Sequence, residues 1–158
     1  MCTAITYQTN HHYFGRNLDL EYSYRETVTV TPRNYPFTFR SGTRWEQHYA
    51  MIGMAYVQEG YPLYYEATNE KGLSAAGLNF PGNAVYHPYA EGKHNVAPFE
   101  LIPWLLGQCA TLQEARALQS LAGKLFGAAA IISAALDGGR QKRCAGGGIH
   151  GGRIAYPR

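Results

Sequence analysis

Residues 1–20, MCTAITYQTNHHYFGRNLDL, decide how the rest of the chain is read. TAITYQ at 3–8 reads as a strand that begins at the very N-terminus. YFGRNLDL at 13–20 reads as its return, with His11-His12 in a polar turn after Asn10. A hairpin of this kind folds residues 16–19 back on residue 2. Cys2, Arg16 and Asp19 are therefore expected side by side.

Cys2 follows the initiator Met directly. Methionine is commonly removed before a small residue, and removal would leave Cys2 with a free α-amine beside its thiol. The amine titrates near ~7.7–8.0 and the thiol near ~8.5. One residue then holds a nucleophile and a base, both close to neutral pH. Arg16 near the sulfur favours the thiolate. Asp19 can hold and orient an α-ammonium group.

Working outward, ETVTVT at 26–31 alternates polar and β-branched positions, the pattern of a strand with one buried face. YAMIGMAYV at 49–57 and LYYEA at 63–67 are further strands. LSAAGLNF at 73–80 follows a turn at Glu70-Lys71-Gly72, and its small residues suit a crowded sheet. Helices come later. Pro103 suits a first helical position, where its missing N–H costs nothing. Thr111-Leu-Gln-Glu114 is a capping box, followed by an apolar face of Ala115, Leu118 and Leu121. Strands first and helices after predict an α+β fold rather than alternating βαβ units.

The chain has 158 residues, 46% hydrophobic and 16% charged, enough for one domain with a sizeable core. Its 13 tyrosines suit half-buried strand surfaces and pockets with a wet edge. The net charge of +3 is unevenly spread. Residues 1–121 carry 8 Lys/Arg against 10 Asp/Glu, whereas residues 122–158 carry 6 against Asp137 alone. No basic face recurs at helical or strand spacing, so nucleic acid is not the expected partner. Cys2, Cys109 and Cys144 form no CxxC pair, which argues against a zinc site of that kind. The odd count, the lack of a signal-peptide pattern and the lack of a long apolar run predict a cytoplasmic protein without a membrane span.

Character changes near residue 122. Half of the 18 glycines fall in the last 37 residues, and no Asn follows Asn95. The end, DGGRQKRCAGGGIHGGRIAYPR, has no period of 2 or 3.6. The chain thus divides at 121, ahead of a Gly-rich, basic tail expected to be poorly structured or out of frame.

Five stretches, MCTAITYQT, YFGRNLDLEYSY, VTVTPRNY, NEKGLSAAGLNFPGNAVY and FELIPWLLGQC, resemble the choloylglycine hydrolase family, and most closely its bile salt hydrolases. The resemblance covers roughly residues 1–121, in order and spacing. It implies the αββα sandwich of the N-terminal nucleophile hydrolases, of which residues 1–121 would be the first half. It also implies hydrolysis of the amide of glycine- or taurine-conjugated bile salts, a cytoplasmic homotetramer in full-length relatives, and no metal or cofactor. Carried over by motif, Cys2 is the nucleophile, and Arg16 and Asp19 are its supporting charges. Asn79 of GLNFPGN serves the oxyanion, and Leu18 packs against the steroid. Arg16, Leu18 and Asn79 are thus the substrate-binding set. Asn79 favours bile salt hydrolase over penicillin V acylase, whose members more often carry Tyr there.

Two departures stand out. The family has a further Asn and a further Arg in its second half, and this chain cannot supply that Asn. Losing one oxyanion donor typically costs ~10²–10³ in rate. The expectation is therefore a bile salt hydrolase impaired by truncation, with penicillin V acylase or an inactive remnant as alternatives. His11-His12 is expected in a turn rather than on a metal. Cys109 is expected in the core. Gly146-Gly147-Gly148 lacks the GxxxxGK[ST] pattern of a phosphate loop. Tyr22 and Tyr24 either line an apolar pocket or cover the core.

Overall fold

The computed structural model describes residues 2–19, 21–78, 91, 94–121, 129–134 and 145–147. Three sheets are present among them. Strands β1 (Thr3–Gln8) and β2 (His12–Asn17) form the N-terminal hairpin, in register from Thr3↔Asn17 to Gln8↔His12. The main sheet contains β3 (Thr27–Thr31), β6 (Met51–Gln58), β7 (Tyr61–Asn69), β8 (Leu73–Leu78), β9 (Ala129–Ala134) and β10 (Ala145–Gly147). Its order is β10-β9-β8-β7-β6-β3, antiparallel throughout. Two short strands, β4 (Phe37–Thr38) and β5 (Arg44–Trp45), form a separate ribbon.

A 3₁₀ turn (Pro98–Glu100) leads into α1 (Leu101–Leu106), and α2 (Leu112–Leu121) follows. Helix α1 lies on β7 and β8. The core between them contains Met51, Ala55, Tyr64, Ala67, Leu73, Ala75, Leu105 and Leu106. Phe37 and Phe39 close one side, with their ring centroids 6.0 Å apart.

Asn69, at the end of β7, ties the layers together. Its Nδ2 donates to the carbonyls of Leu106 and Cys109, each at 2.8 Å. Its Oδ1 accepts from the Lys71 and Leu73 N–H groups, each at 3.0 Å. One buried amide thereby meets both the open carbonyls at the end of α1 and the N–H groups of the β7–β8 turn. Gly72 takes φ +78° in that turn, as expected for the Glu70-Lys71-Gly72 punctuation.

The capping box is present. Glu114 N–H donates to Thr111 Oγ1, and Thr111 N–H donates to Glu114 Oε2, both at 3.2 Å. Pro103 does not open its helix; it is the third residue of α1, and Pro98 stands at the start of the preceding 3₁₀ turn. Both sites tolerate Pro because the first-turn N–H groups have no partner within the helix.

The alternation in ETVTVT is real, but its phase is the reverse of a valine-inward strand. Thr31 is buried at 1% exposure, while Val28 and Val30 stand 64% and 63% exposed. The threonine side faces the helix layer, where Thr31 hydrogen-bonds the Tyr64 hydroxyl. The valine side, with Ile52 opposite Val30, belongs to the sheet's other face. Among the described residues the β1–β2 hairpin lies against that face at β8 and, through Arg16, at Glu66 of β7. A sandwich closes such a face with a second sheet about 10 Å away.

Strand β9 pairs with β8 from Leu73↔Ala134 to Leu78↔Ala129, and β10 pairs with β9. Residues 122–158, expected to be a poorly structured tail, thus include two hydrogen-bonded strands; the rest of that segment lies outside the described residues. No helix among the described residues is long and apolar enough to cross a membrane.

Candidate active site

The hairpin register pairs Ala4 with Arg16 and Thr3 with Asn17, and Thr3 N–H donates to Asn17 Oδ1 at 2.7 Å. Cys2, one residue beyond the last pair, is therefore drawn back over β2. Its side chain is buried at 7% exposure. Arg16 Nη2 lies 3.1 Å from Cys2 Sγ and 3.0 Å from the Gly77 carbonyl on β8. The predicted meeting of Cys2 with Arg16 is thus present.

Arg16 is itself buried, with only 3% of its side chain exposed. A buried guanidinium needs compensating groups. Glu66 on β7 supplies one: its Oε2 accepts from Arg16 Nη1 at 3.1 Å. The Tyr65 ring supplies another, with its centroid 5.9 Å from Arg16 Cζ. Arg16 Nε is buried without a hydrogen-bond partner among the described residues. Burial pushes the Glu66 carboxyl above its usual range, while Arg16 and the Met54 N–H pull it back.

Glu66 was not singled out from sequence, and the reason is local. A strict two-residue period along β7 would place residue 66 with Pro62 and Tyr64, against the helices. The register instead slips between Met54 and Ala55 of β6: Met54 pairs with Glu66, but Ala55 pairs with Tyr64. Burial changes phase at the same point, since Pro62 and Tyr64 are buried before it and Ala67 and Asn69 after it. This bulge turns Glu66 to the face where the hairpin sits. Gly53 permits it, because a Cβ there would meet the Glu66 carbonyl oxygen at 2.0 Å and Ala67 Cα at 2.6 Å. The available signal was a lone carboxylate inside YPLYYEATN, an otherwise uncharged strand.

The other expected residues fall as follows. Leu18 is half-buried and Asp19 exposed, both just past the end of β2. Asn79 lies outside the described residues, as does Met1. Tyr22 and Tyr24 are 72% and 53% exposed, so neither covers the core. His11 is exposed in the β1–β2 turn, and His12 Nδ1 lies 3.1 Å from Gln8 Oε1. Cys109 is in the core, as expected, and burial pushes its thiol up to about 11. Cys144 and His150 lie outside the described residues.

An antiparallel sheet, helices on one of its faces, and a hairpin carrying the cysteine on the other define an N-terminal nucleophile hydrolase fold. A sequence model of the linear amide C–N hydrolases, choloylglycine hydrolase family, matches residues 2–133, and the chain belongs to that family. It is 58% identical over 116 residues to a bile salt hydrolase/transferase of Lactiplantibacillus plantarum, across 73% of this chain and 36% of that one. It is 44% identical over 110 residues to one from Bifidobacterium longum subsp. longum, across 66% and 34%. The chain thus spans about a third of the length of these relatives. Among solved structures, the C2A mutant of conjugated bile acid hydrolase from Clostridium perfringens matches with TM-score 0.76 and 29% identity, over 85% of this chain and 45% of that one. Penicillin V acylase from Agrobacterium tumefaciens shares the fold, with TM-score 0.66 and 18% identity over 92% and 49%.

Proposed function

We propose that this site hydrolyses the amide bond of glycine- or taurine-conjugated bile salts, with Cys2 as nucleophile. The observation that carries the reading is the buried Arg16 Nη2 at 3.1 Å from Cys2 Sγ. A fixed cation at that distance favours the thiolate, the nucleophilic form. The 58% identity to a bile salt hydrolase/transferase supports the substrate class.

After Met1 is removed, Sγ attacks the amide carbon and its proton passes to the α-amine of Cys2. The C–N bond then breaks, the α-ammonium returns a proton to the departing glycine or taurine nitrogen, and the bile acyl group remains on sulfur as a thioester. Water, deprotonated by the same amine, releases the bile acid and regenerates the thiol. Asp19 orients the α-ammonium in this reading. Asn79 donates to the oxyanion, and Leu18 packs on the steroid. No metal or cofactor takes part, the location is cytoplasmic, and the homotetramer is the assembly of full-length relatives, as the family resemblance implies.

The open face formed by Val28, Val30 and Ile52 supports a second part of the reading. A site works when its groups are held within about 0.5 Å by packed neighbours. Residues 1–158 alone are therefore proposed to turn over far more slowly than a full-length relative. The test compares glycocholate and penicillin V as substrates, with Cys2→Ala as control. Glycine release that is lost in Cys2→Ala and exceeds penicillin V cleavage is expected. Preferred cleavage of penicillin V would replace the substrate, and full turnover by Cys2→Ala would overturn the nucleophile.

A further inference from the structure

Arg16 cannot aim itself. Its two Nη atoms serve three acceptors, on two strands and the N-terminus: Glu66 of β7, Gly77 O of β8, and Cys2 Sγ. Arg16 Nη1 is anchored by Glu66 Oε2 at 3.1 Å, and Nη2 makes the contacts to Gly77 and the sulfur. In a rigid planar fork, fixing one arm fixes the direction of the other. The carboxylate is brought to the right face by the β6–β7 bulge, which bends the strand at some cost to its ladder and so specifies this side chain's direction. The other ionisable group from β7 facing the guanidinium is Tyr65; Glu26, Tyr24 and Tyr56 act on Tyr65 in turn.

We propose that Glu66 is a positioning residue for the amide hydrolysis, anchoring Arg16 Nη1 so that Nη2 is held against Cys2 Sγ. The inference rests on the reading of Cys2 as nucleophile and adds the group that sets the thiol's surroundings from the main sheet. Glu66 touches neither the sulfur nor the scissile amide in this account; it acts through Arg16 alone.

The experiment follows alkylation of Cys2 by iodoacetamide against pH, located on the N-terminal peptide by mass spectrometry so that Cys109 and Cys144 are read separately. Proteins compared are the parent chain, Glu66→Ala, Glu66→Gln, Arg16→Ala, and the Arg16→Ala/Glu66→Ala double variant. Glu66→Ala removes the anchor and is expected to raise the apparent pKa of Cys2 by about one unit, slowing alkylation near neutral pH roughly ten-fold. Glu66→Gln keeps an acceptor for Nη1 and is expected at or below the parent value. In the Arg16→Ala background the second change is expected to shift nothing further. An unchanged titration in Glu66→Ala, or the same shift without Arg16, would overturn the inference. Should Glu66→Ala lack a cooperative melt, Glu66→Gln decides, and a rise of a full unit there would overturn it. Glycocholate hydrolysis on the same samples keeps the two readings apart. Persistent hydrolysis after complete Cys2 alkylation removes the nucleophile, whereas lost hydrolysis with an unshifted titration removes only Glu66.

Discussion

Arg16 Nη2 stands 3.1 Å from Cys2 Sγ, on a guanidinium whose side chain is 3% exposed. Removing it should raise the proportion of thiol at neutral pH and leave Glu66 without its cation. Arg16→Ala is therefore expected to slow iodoacetamide modification of Cys2 by about ten-fold, one unit of thiol pKa. Asp19→Asn should instead move the titration of the α-amine and so shift the pH–rate profile of hydrolysis. Stopped-flow alkylation and pH–rate measurements check the two; identical profiles in all three proteins would reduce Arg16 and Asp19 to structural roles.

Gly53→Ala should damage both fold and site. Its Cβ would meet the Glu66 carbonyl oxygen at 2.0 Å, and backbone cannot swing aside as a flexible side chain can. Strands β6 and β7 must part at the bulge, at a cost of about 2–3 kcal/mol or more. Gly42→Ala, strained at φ +84° but with open space around it, should cost only about 1 kcal/mol. Urea denaturation of the two variants gives the comparison.

The contrast between Gly53 and Cys2 shows what the sequence made legible. The hairpin, the α+β class, the capping box at Thr111 and the meeting of Cys2 with Arg16 could be read from local patterns, because each is set by residues close in the chain; the strands β9 and β10 after the helices could not. The bulge that turns Glu66 could not, since it depends on how β6 and β7 pair across a register slip. The inward threonines of β3 are not legible for a related reason: alternation gives the period of a strand but not which phase faces the helices. The two-residue strands β4 and β5 were too short to show any period.

Asn69 should be among the most sensitive polar positions. Truncation to Ala leaves the Leu106 and Cys109 carbonyls and the Lys71 and Leu73 N–H groups without their partner. Each group left buried and unmet costs about 1–3 kcal/mol, and water reaching the turn will relieve some of them. A net loss of about 3 kcal/mol is expected in Asn69→Ala, read as a lower urea midpoint with unchanged slope.

Acid should weaken the fold partly through Glu70. The Arg33 side chain, joined by the Ala50 N–H, holds the Glu70 carboxyl down to about 2. The folded-state pKa is depressed, so the contribution is fully present above the unfolded value near ~4.3. It is lost as pH falls from there through about 2. Glu70→Gln should therefore flatten the dependence of melting temperature on pH between those limits and change little of it above pH 6, which scanning calorimetry at stepped pH will show.

The most direct test of the central claim is acid trapping of the acyl-enzyme on Cys2. The protein is mixed with excess glycocholate, quenched in acid, and its N-terminal peptide weighed by mass spectrometry. The account predicts a peptide that begins at Cys2, with Met1 absent, carrying the cholyl group as a thioester that hydroxylamine removes. Glycine release from protein that retains Met1, or without any steroid on Cys2, would contradict it.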